Sequence, residues 1–501
     1  MPLTPIDVLI QHLVKKDIKL WEALKSLSDH LLKVGVIKEE QIDPTFVATL
    51  SEFILKVNSL QVNLPDFVDG DYISWLVTGP QIKPVITLNF NPTPDLSFGT
   101  GAIIGGVIST SLGTGNKSFY GSTSAAPPGL LTKAGILPYA AFAGKVHVNL
   151  EAIESAGALS HIGLDKNGMY GSIGTPEGFN TFDLLAAGAY GDLISYLRYV
   201  AGDDLRLHTL KIGTVTSSYS SWSAELLGYN NEGILGATLN AVTVSAGATT
   251  YIPIYGHSTT TQESSKFVIP LACTISRLWI KTSTNQPGTG ALTVTIEKNG
   301  VATAVTKVIP LSSVAGIYAD LVNSVAFSVG DTINFLLSNA AGTTSAAIDC
   351  IMFQYIPTSG SGRIIGGTHP GSIARNAGNI SYSMPFSRFA DQDTIRAETT
   401  KRSIFPRAGT ISNLWTYVDI GTPGNAASTM ELQLMVNGVN SFPTLTFVAP
   451  VGPVGGAKGA GVDGVTVTGT RNVVAGDVFD MRFEVLIATP GIFTSWSAVI
   501  E

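Results

Sequence analysis

Residues 272–283 read Ala-Cys-Thr-Ile-Ser-Arg-Leu-Trp-Ile-Lys-Thr-Ser, and residues 408–419 repeat them as Ala-Gly-Thr-Ile-Ser-Asn-Leu-Trp-Thr-Tyr-Val-Asp. If residues 275–280 and 411–416 are strands, their successive side chains point to opposite faces. Self-similarity at a fixed spacing indicates one structural unit built twice. The repeat therefore predicts two tandem β-domains in the C-terminal half of the chain.

Three further motifs accompany each copy in the same order. They are a proline before the repeat strand, an Asn-Gly-Val turn after the next strand, and a Gly-Asp pair that opens a late strand. They lie at Pro270, 299–301 and 330–331 in the first unit, and at Pro406, 437–439 and 476–477 in the second. Short strands separated by turn residues every eight to twelve positions are typical of a sandwich or barrel. We place the two units at residues 241–358 and 359–501.

This succession of motifs resembles the trimeric jelly-roll domains at the tips of phage fibres and spikes, and the head domains of spore-surface collagen-like proteins. Both share the broader C1q/TNF-like architecture. The resemblance covers roughly residues 241–501 and implies a sandwich of eight to ten strands that trimerises through one sheet. It carries no ligand site, because such tips vary most in their loops.

The alternation of the repeat strand places leucine and tryptophan on opposite faces. Leu278 and Leu414 are expected in the sandwich cores, which leaves Trp279 and Trp415 facing outward. Aromatic residues are enriched at interface cores, so a subunit interface is favoured over stacking on carbohydrate, the alternative.

The two cysteines, Cys273 and Cys350, lie in an early and a final strand of the same unit. Such strands are neighbours in a jelly roll, so the sulfurs could approach each other. Reduced, buried thiols are favoured, because the second unit has Gly409 in place of Cys273 and nothing indicates an oxidising compartment.

The N-terminal region carries a heptad pattern of apolar residues, which favours a helix that associates with copies of itself. The alternative is an amphipathic helix packed within one subunit. We predict a helical coiled-coil stalk over residues 1–64 and a mixed, β-rich middle region over 65–240 with one helix at about 182–200. The fold class is thus mainly β with N-terminal α. Candidate trimer-interface residues on the stalk are Ile10, Leu13, Leu20, Leu24, Leu27 and Leu31.

Composition limits the partners. Only 13% of residues are charged, about half the usual share, and the net charge of −7 comes without a basic block. Nucleic acid is therefore not expected as a partner. We expect no signal peptide, no membrane insertion, synthesis in the host cytoplasm and location in the virion.

The sequence signals neither catalysis nor a cofactor. None of the seven histidines has a second histidine three to five residues away, and Cys-x-x-Cys is absent. Two acid pairs, Asp203 with Asp204 and Asp391 with Asp393, could bind Ca²⁺ or serve as a glycosidase pair, although acids in turns usually cap backbone. We expect no metal, no cofactor and no enzyme.

These observations lead to a homotrimeric phage fibre or spike that other virion proteins hold by its N-terminus. Its C-terminal jelly rolls would adhere to a host glycan or protein with added avidity. The alternatives are a purely structural capsid-decorating or tail protein and a fibre-borne polysaccharide depolymerase. Candidate receptor-contact residues lie in two loops of the second unit: Asn425, Ala426, Pro453, Lys458 and Asp463.

Overall fold

The computed structural model describes part of the chain, and every described element but one is a β-strand. The exception is a 3-10 turn at Glu263–Ser265. The predicted fold class, mainly β with helical parts, is therefore wrong for the described residues, which are all β. The stalk positions from Ile10 to Leu31 lie outside the described residues. These are 72–78, 81–87, 101–108, 117–119, 135–150, 159–166, 182–184, 188–191, 196–212, 220–228, 231–256, 262–369, 380–383, 385–386, 403–420, 428–449, 470–485 and 492–501.

The chain divides into two compact units, residues 1–90 and 91–501. In the first unit, β1 (Tyr72–Thr78) and β2 (Gln81–Thr87) form an antiparallel hairpin in which Thr78 pairs with Gln81. The second unit contains three β-sandwiches in succession.

The first sandwich lies in the region where sequence predicted a mixed middle domain. It has ten strands: β3 (Ala102–Ile108), β4 (Lys117–Phe119), β5 (Gly135–Ile136), β6 (Ala141–Leu150), β7 (Leu159–Lys166), β8 (Phe182–Leu184), β9 (Gly188–Gly191), β10 (Tyr196–Tyr199), β11 (Asp204–Ile212) and β12 (Ser220–Gly228).

The second sandwich starts before residue 241, the predicted boundary. Its nine strands are β13 (Gly233–Val242), β14 (Thr249–Ile252), β15 (Phe267–Val268), β16 (Cys273–Thr282), β17 (Leu292–Lys298), β18 (Val301–Ile309), β19 (Gly316–Phe327), β20 (Thr332–Asn339) and β21 (Ile348–Pro357).

The third sandwich repeats the same succession. Its strands are β22 (Arg363–His369), β23 (Ile380–Ser383), β24 (Ser403–Ile404), β25 (Gly409–Ile420), β26 (Ser428–Val436), β27 (Val439–Ala449), β28 (Arg471–Val473), β29 (Val478–Val485) and β30 (Ile492–Ile500).

All three sandwiches have the same strand order. One sheet, here called the front sheet, runs β3-β12-β6-β10, β13-β21-β16-β19 and β22-β30-β25-β28 in turn. The back sheet runs β4-β11-β7-β8, β14-β20-β17-β18 and β23-β29-β26-β27, with the short β5, β15 and β24 added beside β11, β20 and β29. Each sheet combines early and late strands in antiparallel pairs, which is the jelly-roll arrangement.

The helix predicted at about residues 182–200 is wrong. The segment contains β8, β9 and β10 instead. Its apolar residues recur at helical spacing, but Gly188 and Gly191 would each cost a helix about 1 kcal/mol. In β10, Tyr199 is fully buried in the first core and Leu197 packs against it, so tertiary packing selects the strand.

Candidate functional site: three sandwiches joined in a ring

In the second and third sandwiches, the Asn-Gly and Gly-Asp motifs are joined by hydrogen bonds that we call a latch. In the second, Asn299 Nδ2 donates to Asp331 Oδ1 at 2.7 Å, and the backbone N–H of Thr332 donates to Asn299 Oδ1 at 2.8 Å. In the third, Asn437 Nδ2 donates to Asp477 Oδ1 at 2.8 Å. Asn299 and Asn437 have φ of 53° and 54°, a left-handed conformation that asparagine tolerates better than most residues. The Asn-Gly and Gly-Asp motifs therefore recur together because their side chains bond each other.

The first sandwich carries a third, divergent copy of the same design. Gly202 N donates to Leu137 O at 2.8 Å, as Gly330 N does to Ile269 O and Gly476 N to Phe405 O at 2.9 Å. The sequence Val-Ala-Gly-Asp at residues 200–203 is identical to residues 474–477, and a proline follows each of the three accepting residues. This copy was missed because its repeat strand reads Ala-Gly-Lys-Val-His where the other two read Ile-Ser-x-Leu-Trp.

A bulge in each repeat strand separates leucine from tryptophan. Arg277 has φ of 52°, and the register of β16 shifts beside it. The shift lets Ile275 before the bulge and Leu278 after it both enter the core. Lys145 and Asn413 occupy the same position in β6 and β25, with φ of 47° and 51°.

The outward tryptophans contact the preceding sandwich of the same chain. A Cβ placed on Gly202 would lie 3.3 Å from the Trp279 ring, and one on Gly330 would lie 3.2 Å from Trp415. Trp279 also packs against the core cluster of the first sandwich. Leu278 and Leu414 are buried in their own sandwiches, as the alternation predicted. The contacts of both tryptophans are thus within one chain, where a contact with another subunit was expected.

The short strand of each sandwich lies on the front sheet of the next sandwich. Strand β5 contacts β16 and β21, and β15 contacts β25 and β30. Strand β24 of the third sandwich contacts β6 and β12 of the first, so the three sandwiches form a closed ring. We call the contact between the first and second sandwiches the first joint, that between the second and third the second joint, and that between the third and first the third joint. In the second and third joints, a serine hydroxyl crosses the interface. Ser497 Oγ donates to Val268 O at 2.7 Å, and Ser223 Oγ donates to Ile404 O.

The first strands of the sandwiches meet at the centre of the ring. Gly105, Gly236 and Gly366 occupy equivalent places in β3, β13 and β22. A Cβ on Gly105 would lie 2.8 Å from Phe386 of the third sandwich, and one on Gly366 would lie 2.8 Å from Phe267 of the second. A cavity of about 10 Å³, enough for one water, lies among Ile103, Gly105, Ile234, Gly236, Tyr255 and Phe386.

The charged contacts differ from joint to joint. Lys281 Nζ of the second sandwich lies 2.6 Å from Asp204 Oδ2 of the first. Arg407 Nε of the third lies 3.8 Å from Glu225 Oε1 of the first. Burial lowers the pKa of Arg407, and the nearby Glu225 opposes that shift. The three joints thus share a backbone design and differ in their side chains.

The third joint lacks the tryptophan contact. His147 holds the position equivalent to Trp279 and Trp415, and its Nδ1 lies 3.0 Å from Lys145 O. Among the described residues, none has an atom within 4 Å of a Cβ placed on Gly476, the counterpart of Gly202 and Gly330. The described residues therefore fill this point of the joint less completely than they do in the other two joints.

The first joint also holds a buried acid. Burial raises the pKa of Asp349 to about 6, and the nearby Asp204 adds to the rise. Ser283 Oγ donates to Asp349 Oδ1 at 2.8 Å, and this bond and Lys281 hold the pKa lower than burial alone would set it.

The two cysteines are free and lie at opposite ends of the front sheet. Cys273 pairs with Pro357, whereas Cys350 pairs with Lys281. They also face different cores, Cys273 that of its own sandwich and Cys350 that of the first. The sulfurs therefore do not meet, and the prediction of reduced, buried thiols is confirmed. Burial raises the pKa of both thiols to about 12.

The acid pair Asp203 and Asp204 stabilises the protein backbone and a joint. Asp203 Oδ2 accepts the N–H of Val200 at 2.7 Å, and Asp204 pairs with Lys281. Asp391 and Asp393 lie outside the described residues. Within the described part of the chain, no group of three or more acids, histidines or cysteines is placed to hold a metal. In the same part, no helix is long and apolar enough to cross a membrane.

The candidate receptor-contact residues Asn425, Ala426, Pro453, Lys458 and Asp463 lie outside the described residues. The strands that flank their loops are described. Ser428, where β26 begins, pairs with Ala449, where β27 ends. Ser428 and Ala449 therefore lie side by side, at the end of the back sheet away from Asn437.

No family model matches the chain, and no curated protein matches it. Among solved structures, the chain is similar to the dimeric latent PorU from Porphyromonas gingivalis, with 12% identity and a TM-score of 0.20. The similarity covers 70% of this chain and 33% of that one. A TM-score this low carries no argument about fold or function.

Proposed function

We propose that this chain is a virion structural protein, a phage fibre or spike whose ring of jelly rolls adheres to the host surface. The observation that carries the proposal is the closed ring, in which β5, β15 and β24 each lie on the front sheet of the next sandwich. The fibre-tip domains that the repeat resembles are expected to trimerise through one sheet. One chain here supplies three sandwiches that associate through one sheet each.

The ring changes how recognition would work. In a homotrimer three identical sites add their affinities through a high effective concentration. In one chain the three sandwiches differ in sequence, so each ring offers one copy of any given loop. We propose that adhesion uses the paired loops beside Ser428 and Ala449, which contain Lys458 and Asp463, and that other virion proteins hold the chain through its N-terminal residues.

Homotrimerisation also takes a different form in this proposal. The front sheet of each sandwich is covered by a neighbour from the same chain, so association of whole chains requires another surface. We infer that the trimeric arrangement of jelly rolls is supplied within one chain.

The test is binding of the labelled full-length chain to cells of the bacterial host and to an array of bacterial surface glycans. Replacing residues 453–463 with a Gly-Ser segment of equal length is expected to abolish binding, and Lys458→Glu to weaken it. The matched control is Val474→Ser, an exposed position at the opposite end of the same sandwich, which should bind as the unaltered chain does.

The other outcomes separate the alternatives. A chain that is found on purified virions but binds neither cells nor glycans would support a structural role without adhesion. Release of reducing ends from a capsular polysaccharide would replace adhesion with depolymerase activity. Absence of the chain from purified virions would overturn the proposal.

A further inference from the structure

The front sheet of the second sandwich ends in a long edge strand. Strand β19 (Gly316–Phe327) has 12 residues. It is the last strand of its front sheet, so among the described strands none pairs with its outer side. A long edge strand of this kind offers a row of backbone donors and acceptors to another strand.

The edge is also apolar. Val322 is 89% exposed, Val314 70% and Leu321 59%, in a chain whose other large apolar side chains are mostly buried. We call this surface the β19 edge. Its exposed apolar residues are Val308, Leu311, Val314, Ile317, Leu321 and Val322.

Hydrogen bonds fix the conformation of the most exposed part of the β19 edge. The register of β19 against β16 shifts between Asp320 and Ser324, which leaves residues 321–323 as a bulge. Asp320 Oδ1 accepts the N–H groups of Val322 and Asn323, both at 3.2 Å, and its Oδ2 accepts Asn323 Nδ2 at 3.0 Å. The bulge therefore presents Leu321 and Val322 without a large loss of conformational entropy on binding.

Charge favours a second copy of this chain as the occupant. Between Lys307 and Asp331 the only charged residue is Asp320, which is buried and turned to its own bulge. The whole chain carries a net charge of −7, so two copies repel each other at long range. A charge-poor surface can meet itself without placing like charges opposite each other.

The size of the β19 edge also suits a dimer. A strand of 12 residues is about 40 Å long, and the sandwich edge includes β18 on the second sheet, about 10 Å away. With side chains, the face measures roughly 40 by 20 Å, or about 800 Å² per partner. That is the area of a standard stable interface.

We propose that two copies of this chain associate through the β19 edge, with β19 of each copy antiparallel to that of the other. A two-fold axis then crosses the middle of the strand pair, so the Leu321 and Val322 bulges of the two copies pack against each other. The dimer joins two rings.

The test is the mass of the full-length chain by light scattering between 1 and 50 μM, a range chosen as roughly that of weak to moderate dimers. We expect twice the mass of one chain at the upper end. Val322→Lys and Leu321→Lys should each raise the dissociation constant at least tenfold, because each places like charges across the axis. The matched control is Val474→Lys, at an apolar position 60% exposed on the third sandwich, which should keep the mass of the unaltered chain.

Hydrogen exchange gives a second readout that does not depend on the folding of a variant. The amides of residues 316–327 should exchange more slowly at 50 μM than at 1 μM, whereas those of β28 should not change. A monomer at 50 μM, a trimer, or a dimer that both lysine variants leave intact would overturn the proposal. These outcomes concern mass alone and do not bear on adhesion by the third sandwich.

Discussion

Replacing Gly330 with alanine tests whether the sandwiches are joined by the tryptophan contacts. Gly330 has φ of 85°, and an added Cβ would lie 3.2 Å from Cη2 and 3.4 Å from Cζ3 of Trp415. Trp415 belongs to the third sandwich and Gly330 to the second. The extra methyl group therefore pushes on the joint between them and on no other part of the core.

The expected loss has two parts. Alanine at positive φ costs about 1–2 kcal/mol wherever it occurs. Overpacking a closed contact costs a further 1–3 kcal/mol or so. Gly330→Ala should therefore lower the free energy of unfolding by about 2–5 kcal/mol.

Gly476→Ala is the matched control. Gly476 has φ of 94° in the equivalent turn, and none of the described residues comes within 4 Å of an added Cβ. It should lose only the conformational part, about 1–2 kcal/mol. Urea unfolding of both variants, followed by tryptophan fluorescence, measures the difference.

A double-mutant cycle with Trp415→Ala completes the test. Once the indole side chain of Trp415 is removed, Gly330→Ala should lower the free energy of unfolding by no more than Gly476→Ala does. If both glycine variants lowered the free energy of unfolding equally in the unaltered background, Trp415 would not form the contact proposed for the second joint. A Gly330→Ala penalty that persists without Trp415 would lead to the same conclusion.

Three further outcomes follow from the latch, the buried acid and the thiols. Asn299→Ala should lower the free energy of unfolding by about 2–3 kcal/mol, because it breaks the bond to Asp331 and leaves a non-glycine residue at φ of 53°. Asn299→Gly should be less destabilising by about 1 kcal/mol, because glycine tolerates this conformation. Equal thermal midpoints for the two variants would contradict this explanation. The pKa of Asp349 is raised to about 6 in the fold from an ordinary 3.8, so the stability it contributes is complete below pH 3.8 and is lost as the pH rises to about 6. Asp349→Asn should therefore flatten the melting temperature over that window, and a parallel shift at every pH would argue against it. Cys273 and Cys350, with pKa values of about 12, should not react with a thiol reagent at pH 8 until denaturant is added, when two thiols appear; a fast native reaction would place a thiol at the surface.

The repeat at residues 272–283 predicted the second and third sandwiches, because strand alternation and turn motifs are local signals. It placed Leu278 in the core and Trp279 outside it, and both positions agree with the structure. The first sandwich was missed for an equally local reason. Its copy has His147 for tryptophan, and the helical spacing at residues 182–200 competed with two turn motifs that were present, Asn167-Gly168 and Gly202-Asp203.

The ring itself could not be predicted from these patterns. A strand with an outward tryptophan indicates that a partner covers it, but the alternation of Trp279 and Trp415 is the same whether the partner is another chain or the preceding domain. The contacts that decide between these are long-range, such as Ser223 with Ile404 and Ser497 with Val268. No periodicity in the sequence reports them.

Closure of the ring also sets an order of assembly. In the first two joints, β5 and β15 precede the front sheet that they contact along the chain. In the third joint the order is reversed, because β24 follows β6 and β12. During synthesis the front sheet of the first sandwich is therefore exposed until the third has emerged and folded. For that interval the nascent chain presents an open face that its own last domain later covers.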